Sequence, residues 1–172
     1  MMLKNIFRNM PAALLLLMLT GCGYHIGFIK HPQLNSIAVA PVENSTSVYN
    51  AASNMRMMAS EVIMQDGTYK LLDQKRADAV LFMTIKNIAY TAVGTSAVER
   101  DRDYRPDEWI ARVTVEYKLI IPGQGEPLMA GTVSGQSHFQ AGADVESGRL
   151  SGVQQACYDT ALHLVRQISE GW

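Results

Sequence analysis

The clearest pattern in the sequence is a strict alternation of apolar and polar residues between positions 109 and 121. The apolar positions of this segment are Trp109, Ala111, Val113, Val115, Tyr117, Leu119 and Ile121. The positions between them include Arg112, Thr114, Glu116 and Lys118. A period of two predicts an antiparallel strand that buries one face and exposes the other to water.

Two other segments repeat their apolar residues at steps of three and four, which predicts amphipathic helices. The first helix is predicted over residues 51–65 and ends at Asp66-Gly67, where glycine tolerates the left-handed conformation. The second is predicted over residues 149–167. The inward-facing positions are Met55, Met58, Ala59 and Val62 in the first helix, and Val153, Ala156, Cys157, Ala161, Leu164 and Ile168 in the second.

The remaining apolar runs predict further strands separated by polar loops. Strands are predicted over residues 36–42, 69–73, 77–93 and 128–140, loops over 94–108 and 141–148, and a turn over 122–127. The order of elements predicts an α+β fold. Specifically, we expect a two-layer sandwich with two amphipathic helices packed on one face of a mostly antiparallel four- to five-stranded sheet.

The N-terminus combines a basic lead with an apolar run that is too short to span a membrane. Lys4 and Arg8 precede the run at 11–19, whereas a spanning helix needs about 20 apolar residues. These features are typical of a secretory signal peptide. The residues that end it, which resemble a bacterial lipobox, are Leu19, Thr20, Gly21 and Cys22. Cleavage before Cys22 would leave a thiol and an amine that can both carry lipid, and several chains give stable anchoring.

This interpretation divides the chain into a signal peptide (1–21), a lipidated tether (22–35) and a single domain (36–172). Removal of the signal peptide leaves 151 of the 172 residues and changes the net charge from −1 to −3, because Lys4 and Arg8 are lost. This composition lacks the basic stripe of nucleic-acid-binding proteins. Cys157 would be the one free thiol of the mature chain, so we expect no disulfide within it.

The sequence contains no convincing catalytic or metal-binding motif. The four histidines (His25, His31, His138 and His163) are scattered and lack metal-ligand spacing. No nucleophile elbow, P-loop or dinucleotide fingerprint is present. We therefore predict a protein that is not an enzyme and that carries no cofactor apart from the covalent diacylglycerol and acyl lipid on Cys22.

Several phrases in the sequence resemble the LptE family of outer-membrane lipoproteins. These are "LTGCGYHIG", "IAVAPVENST", "DQKRADAVLFMTI", "DYRPDEWIARVTVEYKL" and "LVRQISEGW", which together span nearly the whole mature chain. The resemblance implies a two-layer sandwich that plugs the β-barrel LptD and supports its assembly. It also implies lipopolysaccharide as a ligand, and an outer-membrane location facing the periplasm or the barrel lumen.

A lipopolysaccharide ligand would place phosphates against cations of the protein. The candidates are Lys86, Arg112 and Lys118, which the alternation assigns to the solvated face, together with His138. The same residues are also typical of an ordinary solvated face, and the sequence pattern alone favours that interpretation over a phosphate site. A second option is Arg100, Arg102 and Arg105, although Glu99, Asp101, Asp103, Asp107 and Glu108 outnumber them. That loop could instead contact the barrel wall or divalent ions that bridge phosphates.

A second class of lipoprotein shares some of these phrases. The strand "IAVAPVENST" and the later "ADAVL" are also similar to LpoB-like activators of cell-wall synthases and to CsgG-like secretion components. A pore-forming protein would need long strands with a lipid-facing apolar surface. The alternating charges of Arg112, Glu116 and Lys118 argue against such insertion, whereas the activator hypothesis stays open.

Overall fold

A computed structural model describes residues 34–96, 105–140 and 145–171 of the chain. The predicted signal peptide, the lipobox and most of the tether lie outside these residues. In chain order the elements are β1 (Ser36–Val39), β2 (Glu43–Asn44), α1 (Ala51–Asp66), β3 (Lys70–Leu71), β4 (Ala79–Ser96), β5 (Arg105–Ile120), β6 (Met129–Gln140) and α2 (Val145–Glu170).

The strands form one six-stranded mixed sheet. Its order is β3-β1-β4-β5-β6, and β2 lies beside β4. The long strands β4, β5 and β6 are antiparallel, whereas β1 runs parallel to both β3 and β4, and β2 runs parallel to β4. The predicted α+β two-layer fold is confirmed. One difference is the additional short strand β2. Another is the parallel pairing of β1 with β3 and β4, which requires a crossover connection such as the one that contains α1.

Both helices pack on the same face of the sheet, as predicted. The alternating residues of β5 form the centre of the core, where Ala111, Val113, Val115 and Leu119 are fully buried. Helix α1 contributes its three- and four-spaced apolar residues to the same cluster. It ends at Gly67, which has φ of 70° and donates its N–H to the Ile63 carbonyl oxygen at 3.2 Å. The predicted C-terminal stop is therefore correct.

Helix α2 approaches β6 closely because Gly135 has no side chain. A Cβ at this position would lie 2.2 Å from the backbone nitrogen of Thr160. The Thr160 hydroxyl is buried and donates to the Ala156 carbonyl oxygen at 2.7 Å. Glycine in a strand often marks such a close approach of two backbones.

Side chains of α2 also cover the outer edge of β6. The Gln136 N–H donates to Asp159 Oδ2 at 2.9 Å, and His163 Nδ1 donates to the Ser134 carbonyl oxygen at 2.9 Å. These contacts satisfy backbone groups that would otherwise be available to another strand. The middle of this edge, at Ser134 and Gln136, is therefore capped by side chains of α2.

The predicted loop over 94–108 is wrong at both ends. Strand β4 continues to Ser96 and β5 begins at Arg105, so the two strands form a long hairpin. The register shifts between Ile85 and Asn87, which breaks the simple alternation of β4, although the predicted strand over 77–93 still covers all of it except residues 94–96. The second helix also begins earlier than predicted, at Val145.

Asp78 fixes the point where the chain enters the sheet. Its Oδ2 accepts the Asn35 N–H at 3.0 Å, and the Ser36 N–H and hydroxyl at 2.9 and 2.8 Å. The Asp78 N–H in turn donates to Ser36 Oγ at 3.0 Å. These donors, the Asn35 amide first, lower the pKa of Asp78 below its ordinary value. The carboxylate thus holds the start of β1 against the start of β4.

Candidate functional site on the open face of the sheet

The face of the sheet opposite the helices is polar and exposed. On β5 it carries Arg112, Glu116 and Lys118, all exposed, in the positions that the alternation assigned to solvent. Its neighbours on β6 are likewise polar, because Thr132, Ser134, Gln136 and His138 pair with this side of β5. The face is covered by no other described element, so it is available for binding.

One end of the open face contains a groove of about 470 Å³. It lies between β2, β4 and β5, and its side chains include Glu43, Ser45, Phe82, Thr84, Lys86, Glu116 and Lys118. Phe82 is directly opposite Lys118 in the ladder and is 44% exposed. The groove therefore combines an exposed aromatic ring with two ammonium groups and two carboxylates, which suits an amphipathic ligand.

The two lysines of this groove differ in how accessible they are to a ligand. Lys86 Nζ lies 3.0 Å from Glu116 Oε2, and both side chains are about half exposed. The Thr84 hydroxyl donates to Glu43 Oε2 at 3.3 Å. Lys118 forms no ion pair within the described residues. It is consequently the cation that a phosphate could approach without displacing a partner, whereas Lys86 would have to exchange Glu116 for the ligand.

The other two predicted cations lie further along the sheet. Arg112 Nη2 donates to Gln136 Oε1 at 2.8 Å, and His138 Nδ1 lies 2.8 Å from Glu108 Oε1. Arg112 is six residues from Lys118 on one strand, which corresponds to about 20 Å. The structure therefore places all four predicted residues on one face but divides them into a groove pair, Lys86 and Lys118, and a distant pair.

The groove depends on residues that the sequence patterns did not single out. Phe82 is an apolar residue among the solvated positions of β4, and this exception to the alternation was the one available signal. Glu43 belongs to a two-residue strand that propensity does not reveal. Of the second predicted cluster, Arg105 lies at the start of β5, and Arg100 and Arg102 lie outside the described residues.

A second hollow, of about 440 Å³, lies between β6 and the C-terminal part of α2. Its lining includes Ser134, His163, Arg166 and Glu170. His163 already bonds to the Ser134 carbonyl oxygen, as part of the capped edge. The two parts of its lining are at least 29 positions apart in the chain, so it could not be recognised from local sequence. Its charges are mixed, and its lining includes no Phe, Tyr or Trp.

Within the described ranges, no three His, Cys, Asp or Glu side chains are grouped closely enough to hold a metal ion. Cys157 is buried among apolar side chains, and burial raises the pKa of its thiol to about 12. A thiol of that pKa is a poor nucleophile at neutral pH. In the same ranges, neither helix has the length and apolarity that a membrane crossing requires.

No protein-family model matches the sequence, and no curated protein matches it. The fold, however, is similar to solved structures. Protein XCC0632 from Xanthomonas campestris, of family DUF330, has 13% identity and a TM-score of 0.56. That alignment covers 79% of this chain and 86% of the other.

Two lipoproteins are among the other similar structures. Lipoprotein GNA1162 from Neisseria meningitidis has 15% identity and a TM-score of 0.43, with coverage of 77% of this chain and 99% of the other. A minor lipoprotein from Acinetobacter baumannii has 12% identity and a TM-score of 0.48, with coverage of 78% and 92%. Identities this low concern the fold alone. The fold similarity therefore rests on protein XCC0632, whose TM-score exceeds 0.5.

Proposed function

We propose that this chain is an outer-membrane lipoprotein that acts with the β-barrel LptD as its plug and assembly partner in lipopolysaccharide transport. Lipid on Cys22 would hold the domain at the membrane. The observation that carries the proposal is the groove in which the exposed Phe82 ring lies beside Lys86 and Lys118. This role is one of binding, without catalysis.

The chemistry of the groove matches that of a phosphorylated glycolipid. Its phosphates would approach Lys118 and compete with Glu116 for Lys86, since charge-assisted bonds to phosphate are stronger than neutral ones. The Phe82 ring offers apolar contact to an acyl chain or a sugar face. The polar open face around the groove also suits the polar interior of a large barrel.

A binding experiment tests the groove directly. In the double variant Lys86→Met and Lys118→Met, we expect affinity for lipopolysaccharide micelles to fall by at least about tenfold, because two charge-assisted contacts are lost. Lys75→Met is the matched control, since this exposed lysine lies in the turn before β4. Unchanged affinity in the double variant, with an unchanged melting temperature, would exclude the groove as the phosphate site.

A second experiment tests the partner. The tagged full-length protein is extracted from native membranes in mild detergent, and the proteins that co-purify are identified by mass spectrometry. We expect a heat-modifiable β-barrel to be recovered in equal amounts. Recovery of a penicillin-binding synthase instead would favour the LpoB-like alternative. In Cys22→Ala the folded protein should leave the membrane fraction, and retention would contradict lipid anchoring.

A further inference from the structure

The second half of β4 has a partner strand on one side only. On its outer side, β1 pairs with Ala79 to Leu81, and β2 pairs with Thr84 and Ile85. No strand of the described ranges pairs with that side between Lys86 and Ser96. A strand edge of this kind presents backbone N–H and C=O groups that can pair with another strand.

This edge lacks the protection that the other edges of the sheet have. Residues of α2 cap the edge of β6, as described above, and β3 is only two residues long and carries Lys70. By contrast, the segment from Asn87 to Ser96 reads "NIAYTAVGTS" and contains no charged residue and no proline. Short strands, charges and proline are the usual means of preventing edge pairing, and here none of them is used.

The register identifies which backbone groups point outward. The register shift after Ile85 is a β-bulge. Before it, the Leu81 and Ile85 carbonyl oxygens accept N–H groups from the segments that follow β1 and β2, so the backbone groups of odd-numbered residues point outward, away from β5. Above the bulge, Asn87, Ala89 and Thr91 pair with even-numbered residues of β5. In an antiparallel pair, residues whose N–H and C=O groups bond to the neighbouring strand alternate with residues whose groups point the other way. Above the bulge, the backbone groups that point away from β5 therefore belong to Ile88, Tyr90 and Ala92.

We propose that this edge pairs with the same edge of a second copy of the chain, antiparallel and centred on Tyr90. The three outward residues are symmetric about Tyr90. Ile88 of one copy therefore lies opposite Ala92 of the other, and each Tyr90 lies opposite its counterpart. The edge is thus complementary to itself, which is the requirement for a two-fold symmetric interface.

The side chains of this segment are compatible with such pairing. Ile88 and Tyr90 are half-buried on the helix side of the sheet. The Tyr90 ring is held edge-on to Phe139, with centroids 6.2 Å apart, and Arg149 lies 5.3 Å from its centroid. Pairing would place the two apolar rows side by side. Arg149 lies against the Tyr90 ring, and Lys86, the charged residue of β4 next to this segment, would face Gly94 of the other copy rather than another charge.

A second copy fits this edge better than a barrel wall does. A closed β-barrel has no free strand edge to offer, because every strand pairs with two neighbours. The pairing of two copies is therefore expected of the chain before it binds a barrel, and it does not depend on the proposed function. An edge of a few residues buries little area, so we expect a weak, concentration-dependent dimer.

Sedimentation of the full-length chain in detergent, over a wide concentration range, tests this proposal. Ala92→Pro removes an outward N–H without affecting the bonds to β5, and this N–H occurs twice in the dimer. We expect dimerisation to weaken by about tenfold or more, while Ala92→Val leaves it unchanged. A chain that stays monomeric throughout, or a dimer that Ala92→Pro does not weaken, would overturn the proposal.

The register has its own test. In Tyr90→Cys the two thiols would lie directly opposite each other, at a Cα separation of about 5.5 Å, which permits a disulfide. Mild oxidation should therefore give a covalent dimer, whereas Lys75→Cys should not. Covalent dimers in both variants, or in neither, would reject this register. Capture of a different protein through the Tyr90→Cys thiol would show that another strand occupies the edge.

Discussion

The two faces of strand β5 differ in how strongly each side chain is constrained. On the inner face, Val113 and Val115 are fully buried between the sheet and the helices. On the outer face, Arg112 and Glu116 are exposed and meet only one polar partner each. One strand thus supplies both tightly packed and weakly constrained positions, which leaves the outer face free to serve binding.

The largest effect is expected where a charge enters the inner face. Val115→Asp would bury a carboxylate with no partner, and we expect a loss of several kcal/mol in the free energy of unfolding. This is a large part of the stability of a typical domain, so the variant should be unfolded or barely folded. Circular dichroism measures the outcome. Thr114→Asp, one position along on the outer face, is the control, and equal damage in both would mean that the register is wrong.

A smaller effect is expected where α2 meets β6. Gly135→Ala places a methyl group against the Thr160 backbone, which cannot move without shifting the helix, and should cost about 1–3 kcal/mol. Thermal melting compares this variant with Gly125→Ala, where a Cβ would meet nothing within 4 Å. If the two variants have the same melting temperature, then the close approach of helix and strand does not constrain this position.

The smallest effect is expected on the outer face. Lys86→Met removes the ion pair with Glu116, and because both side chains are about half exposed we expect a change below about 1 kcal/mol. Urea denaturation at low and high salt measures it, and Lys75→Met controls for the loss of a surface charge. A loss as large as that in Gly135→Ala would show that the outer face is as constrained as the inner one.

The inner face could be predicted from the sequence because its period is regular and local. The alternation of β5 and the three- and four-residue spacing of α1 needed no knowledge of distant residues, and the predicted helix at 51–65 differs from the observed Ala51–Asp66 by one residue. The buried residues follow from the period alone. This is also why the two-layer arrangement was predicted correctly.

The rest depended on contacts between distant segments. The parallel pairing of β1 with β4 joins residues more than 40 positions apart, and no local pattern encodes it. The bulge after Ile85 shifts the faces of β4, so a single period of two does not describe the whole strand, and its last residues (94–96) were predicted to lie in a loop. The groove is formed by residues of β2, β4 and β5, so neither the groove nor the ion pair of Lys86 with Glu116 could be predicted without the strand pairing.

The buried thiol of Cys157 has a consequence for biogenesis. With its pKa near 12, the folded protein presents almost no thiolate to an oxidising surrounding. Before α2 docks on the sheet, the same sulfur would be accessible and could be captured as a mixed disulfide. If the chain is exported, as proposed, packing of the last helix protects it from oxidative side reactions, and slow packing would lengthen the time for which the thiol is accessible.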